Sequence, residues 1–302
     1  MDKNNLKKTE LPSWDLSDLY KSTKCSEIDL DLKKLGKLTS SFNKKYKGKI
    51  YKLTDKNFFG LFSSLELIEK LSGRLISFAY LNYCEEVNSE EKNKFLSDIQ
   101  EKLVRFDSKM LFLSLEINSL SEKRFKNLID KKSKVYKYKT FFKKNRLFKP
   151  YQLSEGMENL LNEYKSSSRS SWVKLFDETI SELSISISNK KYSFEESLNL
   201  LQNTNSKIRA MAGIRLSTVL KEKIKLFSRI TNTLAREKQI EDEKRKFDSP
   251  AASRHLANNV DPKIIQNLRD TVVDSYQNTS HRYYRLKAKL LNKKKLKLWD
   301  RN

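Results

Sequence analysis

Apolar residues return every three or four positions along most of this chain, so it reads as a succession of amphipathic helices. Between Asn57 and Tyr83 the stripe is Leu61, Leu65, Ile68, Leu71, Leu75 and Phe78. A second helix is predicted from about Ser89 to Ile117, with Phe95, Ile99, Leu103 and Phe106 on one face. These two stripes predict core packing in a helical bundle. Leu216, Leu220, Ile224, Phe227 and Leu234 form another, read as one long stripe. A helix predicted from Pro262 to about Asn292 carries Ile265, Leu268, Val272 and Tyr276, then Tyr283, Leu286 and Leu290. Phe148–Leu153 and the polar run Ser166–Ser171 interrupt the pattern.

One stretch changes period. Leu183, Ile185 and Ile187 alternate with Ser184, Ser186 and Ser188. Asn189-Lys190 is expected to turn the chain and Tyr192–Phe194 to return as a second strand. Ser193 then caps a helix, with Glu196 as its capping-box partner. Asp261 and Pro262 start a later helix, since Asp caps well and Pro suits the first helical position. Near the N-terminus, residues 1–10 read as a lead. Trp14, Leu16 and Leu19, within Leu11–Tyr20, are expected to pin the chain onto a core.

The 302 residues suffice for two helical domains or one large two-lobed one. Only six Gly and four Pro occur, which leaves long stretches without a helix breaker. The expected fold class is all-α. A net charge of +24 suggests a polyanion partner. The lysines, however, are spread in short runs such as Lys131-Lys132 and Lys293-Lys294-Lys295, without an aromatic RNA-binding signature. Nonspecific anion adhesion is therefore expected rather than specific nucleic-acid recognition. Cys25 and Cys84 form no local pair and no disulfide framework, which fits a reducing cytoplasm. Met1–Asp15 lacks the apolar core of a secretory signal. Glu66, Glu69, Lys70 and Arg74 interrupt the most apolar helix, so no membrane span is expected.

Catalytic signatures are missing from these residues. A hydrolytic zinc site needs three protein ligands, and His-Glu-x-x-His places two of them on one helix face. The two histidines, His255 and His281, stand twenty-six positions apart, and neither begins that motif. Nothing in their spacing with Cys25 and Cys84 favours a structural zinc. His281 is expected to pack or hydrogen-bond beside Arg282, Tyr283 and Tyr284, and His255 to anchor a turn beside Arg254. Glu241-Asp242-Glu243 reads as a solvated helix surface. No residue is assigned to catalysis or to metal binding, and the substrate-binding residues are unknown.

Ser253–Val260, His281–Leu291 and the terminal Leu298-Trp299-Asp300-Arg301-Asn302 resemble the oligoendopeptidase F family, helical zinc metallopeptidases that cut short peptides. Leu11–Tyr20 and Trp172–Glu178 are similar to it as well, and the likeness is weakest over 21–150. Two departures stand out. Asn292 replaces a helix-ending Gly, and Ile240–Lys246 is more charged than the family pattern. The resemblance implies a helical two-lobed shell around a deep channel, with 1–182 as an N-terminal helical domain. Residues 183–302 would be the start of the peptidase domain, ending before the zinc motif. It further implies oligopeptide substrates and zinc in the complete enzyme. The metal, its ligands and the Glu base would come from a complementing C-terminal catalytic half, leaving this chain inactive alone. The alternatives are a noncatalytic scaffold or regulatory subunit, and a basic helical RNA-associated protein.

Overall fold

The computed structural model describes residues 14–301. Their packing falls into two units. One runs to Lys139 and takes in Asn159–Glu163; the other comprises Thr140–Glu158 and the chain from Tyr164 onward.

The first unit is built on α1 (Ser26–Tyr46), α2 (Asp55–Glu85) and α3 (Glu90–Met110), each packed on the other two. The Thr54 hydroxyl accepts the Asn57 amide at the start of α2, and Ser89 accepts from Lys92 at the start of α3. The predicted α2 stripe is buried at Leu61, Ile68, Leu71, Leu75 and Phe78. Leu65 is half-buried. On α1, Leu35 and Phe42 complete this core. Gly36 lets the Phe106 ring approach so closely that a β-carbon there would lie 3.3 Å from it.

The helix expected over 89–117 is broken at Leu111 into α3 and α4 (Phe112–Ser119). The break has a packing reason. At 100° per residue, Phe112 in a straight helix would point away from Leu103. Here Phe112 is buried, with its ring 6.0 Å from Phe42. The helix α5 (Glu122–Leu128), capped by Ser121, buries Phe125 and Leu128.

The expected N-terminal pin is shifted. Trp14 is exposed, and Tyr20 is the buried residue. Leu11–Ser13 lie outside the described residues. The Tyr20 hydroxyl donates to Asp31 at 2.8 Å, and the Arg74 guanidinium lies 4.1 Å from the ring centroid. Arg74 also donates to Glu27, to Asp31 and to the Leu19 carbonyl. Burial, then the Asp31 carboxylate, pushes the Tyr20 phenol well above its usual range.

Next in the chain come α6 (Lys139–Phe148), α7 (Glu155–Tyr164) and α8 (Arg169–Ser181). In the second unit Glu158 takes a bidentate pair from Arg245, at 2.7 and 2.9 Å, and Tyr151 stacks on Phe247. The hairpin pairs β1 (Ile185–Ile187) with β2 (Lys190–Tyr192), antiparallel. It turns one residue earlier than expected. Ser188 and Asn189 both take positive φ, 49° and 64°. That is the two-residue turn whose twist matches its strands, and it leaves Lys190 free to pair with Ile187.

The helix α9 (Phe194–Asn199) opens with the Ser193/Glu196 capping box. The single stripe expected through Leu216–Leu234 is divided at Lys223 into α10 (Ser206–Glu222) and α11 (Ile224–Arg245). Each part has its own partner. Leu216 packs against the hairpin residues, and Phe227 meets Phe176 of α8 at 5.6 Å. After the short α12 (Ala252–Ala257), the helix expected over 262–292 is also two: α13 (Pro262–Ser275) and α14 (Ser280–Leu290). The turn at 276–279 separates them, and its Asn278 and Thr279 are weaker helix formers. Asp261 caps α13 as expected, accepting from Lys263.

Candidate functional site

The most constrained polar site lies in the second unit and joins the C-terminal segment to α10. Arg209 sits in the first turn of α10, behind the Asn205 cap. Its guanidinium donates to the carbonyls of Asn203 and Thr204 at 2.7 and 3.0 Å, and to Asp300 Oδ1 at 2.8 Å. Lys293 Nζ and the Lys297 amide occupy Asp300 Oδ2 at 2.7 and 3.0 Å. Asp300 is fully buried and Arg209 nearly so. Burial alone would raise the Asp300 carboxyl pKa. The bonds from Lys293, Arg209 and the Lys297 amide outweigh it and hold the group well below the usual carboxylate range.

This clasp fixes the neighbouring Trp299. A β-carbon on Gly213 would lie 3.3 Å from Trp299 Cβ, so Gly lets the indole-bearing turn sit close to α10, and a larger residue would have to push it back slightly. Beside the contact is an apolar groove of about 460 Å³ lined by Phe194, Leu198, Leu201, Ile214, Leu298 and Trp299. A second hollow, of about 520 Å³, is lined by Thr279, Arg282, Tyr283, Arg285, Leu286 and Lys289. The first suits apolar side chains, and the second combines cations with apolar surface.

The histidines are not brought together with other ligands. Among the described residues no three His, Cys, Asp or Glu converge as a metal site. His281 lies in the first turn of α14 and its ring is 6.0 Å from that of Tyr276. The His255 carbonyl accepts from the Val260 amide, which closes the turn after α12 through the left-handed Asn259. The anchoring expected of His255 thus runs through its backbone. Cys25 precedes α1 and Cys84 lies in the last turn of α2; both are free thiols. Asp177 on α8 has its carboxyl pKa raised by burial. No helix among the described residues is long and apolar enough to cross a membrane.

Nothing local in the sequence marks Arg209, Lys293 or Asp300 for this role. Ninety-one positions separate Arg209 from Asp300, and no local pattern marks such a pair.

The helical fold is similar to part of two solved structures. It superposes on oligoendopeptidase-F from Enterococcus faecium with a TM-score of 0.78 at 17% identity, covering 91% of this chain and 53% of that one. A candidate peptidase from Chlamydophila abortus gives 0.60 at 18% identity, covering 96% and 50%. The chain therefore spans about half the length of the structures it matches. In sequence, residues 116–184 match the model of the Oligopeptidase F family. The matched segment runs from α4 to Ser184; it includes Trp172–Glu178 and none of the resembling stretches between Ser253 and Asn302. No curated protein sequence matches the chain.

Proposed function

We propose that this chain forms the N-terminal portion of an oligoendopeptidase F-like zinc metalloendopeptidase that hydrolyses short peptides by metal-activated water. The observation that carries this reading is the family match over 116–184, in a chain that superposes over 91% of its length on about half of an oligoendopeptidase-F. The described residues do not fit the family's zinc, because they bring no ligand set together. No step of the hydrolysis is therefore assigned to them. In this reading the metal ligands and the general base come from the rest of the fold. The boundary at 182/183 between an N-terminal domain and the start of a peptidase domain belongs to the same proposal, as does a cytoplasmic location.

The test pairs two measurements on purified protein. Zinc content after dialysis and turnover of a quenched fluorescent oligopeptide are recorded for the chain alone. They are then repeated with a catalytic-half polypeptide, meaning the uncovered part of the fold, taken from the same organism and carrying His-Glu-x-x-His. The chain alone is expected to hold no stoichiometric zinc and to cleave nothing, and the mixture to do both. Chelator-sensitive turnover by the pure chain, or a mixture that holds zinc and never cleaves, refutes the assignment.

A further inference from the structure

Folding gathers lysines that look dispersed along the chain onto one face of the first unit. Arg124 of α5 pairs with Asp55, in the first turn of α2, at 3.4 Å and donates to the Leu53 carbonyl. The Ser133 hydroxyl donates to the same Asp55 at 3.1 Å. Around this hub, residues 51–59 and 121–139 carry ten Lys and Arg against three acids, Asp55, Glu122 and Asp130. The nearby acids are engaged within the fold. Glu66 accepts from the Tyr138 hydroxyl at 2.7 Å, Asp130 from the Lys132 amide and Glu116 from the Gly48 and Ile50 amides. Glu122 has an interaction of its own, and Glu69, about one turn beyond Glu66 on α2, marks the limit of the face. Lys56, Lys123, Lys126, Lys131, Lys132 and Lys134 are exposed, and none has an acidic partner among the described residues. Two rings stand beside them. Phe59 is 43% exposed with Lys137 Nζ 4.9 Å from its centroid, and Tyr51 is 61% exposed with Lys52 Nζ at 5.2 Å.

We infer that this face binds single-stranded nucleic acid, by its phosphates and by the stacking surfaces of its bases, without reading sequence. Unpaired lysines next to exposed aromatic rings supply both halves of that recognition: cations track the backbone and a ring accepts a base. The free cations are all Lys, point charges that neutralise phosphate but lack the planar fork with which Arg reads a base edge. The carriers are a seven-residue helix, the first turn of α2 and a loop. None of these is built to lie along the groove of a duplex, so the bases must arrive unpaired. An anionic bilayer fits less well, because a surface-lying helix needs an apolar face to insert, and Phe125 and Leu128 of α5 are buried in the core. The inference goes beyond the peptidase reading and does not depend on it.

The experiment follows fluorescence anisotropy of a labelled oligoadenylate RNA of about twelve nucleotides with the full chain, across a salt series. Six neutralised phosphates give a slope of about −4 in log affinity against log salt, a loss of about three-hundredfold between about 50 and 200 mM. The variant Lys131→Gln/Lys132→Gln/Lys134→Gln should bring the slope to about −2. The control Lys33→Gln/Lys34→Gln/Lys37→Gln removes the same charge from exposed sites on α1 and should keep the slope, with affinity within about threefold. Phe59→Leu should weaken binding at least about fivefold and leave the slope unchanged, because it removes stacking and no charge. Circular dichroism and melting should match the wild type for every variant, since the substituted side chains are exposed or stay apolar.

An α1 control that loses as much as the 131–134 variant overturns the inference, because overall charge rather than this face would then bind. So does a Phe59→Leu chain that binds like the wild type, or a wild-type chain with no measurable affinity at about 50 mM salt. Tighter binding to duplex RNA of the same length, to phosphatidylserine vesicles or to polyglutamate overturns it as well.

Discussion

On α2, Leu61 and Leu75 are sealed from solvent, whereas on α13 and α14 Leu268, Leu286 and Leu290 keep more than half of their surface. The spacing is the same in both regions: leucines and their neighbours recur at intervals of three and four. The difference lies in what surrounds them. The α2 stripe has two long neighbours, α1 and α3, which pack on it and on each other; Phe95 of α3 meets Phe78 edge-on at 6.0 Å, and Phe106 comes against Gly36 of α1. Among the described residues, the faces on α13 and α14 have no such cover. Amphipathic periodicity states that a helix needs an apolar partner; it does not state which polypeptide supplies one.

The largest effect expected from this contrast is on stability. Leu75→Asp would bury an unpaired charge among Phe78 and its neighbours and should cost more than about 3 kcal/mol. Leu268→Asp should change stability by less than about 0.5 kcal/mol, as for other exposed positions. Urea unfolding of both variants measures the two values. Equal losses would mean that α13 is packed in the isolated protein, and the contrast would fail.

Next in size is the clasp that holds the C-terminal segment. Asp300→Asn removes the charge that Arg209 and Lys293 share, leaving Arg209 buried without its counter-ion, at an expected cost of about 3–5 kcal/mol. The pH dependence has a definite sign. The Asp300 carboxyl is depressed in the folded protein. Its contribution is therefore complete above the unfolded carboxylate pKa, near about 4, and is lost as pH falls through the lower folded value. Glu158, lowered in spite of burial by its bonds from Arg245 and the Leu153 amide, has the same sign. Urea midpoints at pH 7 and pH 3 should fall less steeply with acid in Asp300→Asn than in the wild type. An unchanged slope would show that Asp300 titrates normally.

Much of the fold is legible in residues that act locally. The α2 stripe, the Ser193/Glu196 capping box, the Asp261 cap and the single hairpin all follow from spacings of two to four positions. Helix breaks are less legible. Those at Leu111 and Lys223 depend on where Phe112 and Phe227 find aromatic partners, Phe42 and Phe176, far away in the chain. Tyr20 rather than Trp14 is buried for a similar reason, since Asp31 and Arg74 come from two different helices. The clasp is the least legible feature. Asp300 looks like any acid in a basic tail until folding brings Arg209 to it.

The smallest effect concerns Asn292, where a Gly would be expected by family resemblance. Asn292 takes the left-handed conformation at φ 52°, with its amide bonded to the Lys289 carbonyl and that of Lys293 bonded to Ala288. This is the two-bond helix ending that Gly usually provides, and Asn is the common substitute because its short polar side chain tolerates that region. Asn292→Gly should therefore gain a few tenths of a kcal/mol at most, because the extra freedom of Gly in the unfolded chain offsets the relief of strain. Asn292→Val, β-branched, should lose about 1–2 kcal/mol. That loss should appear as fraying of α14 in amide exchange, with the amides of α2 unaffected. A Val variant with unchanged protection in α14 would show that the turn is held by the Asp300 clasp rather than by its own backbone.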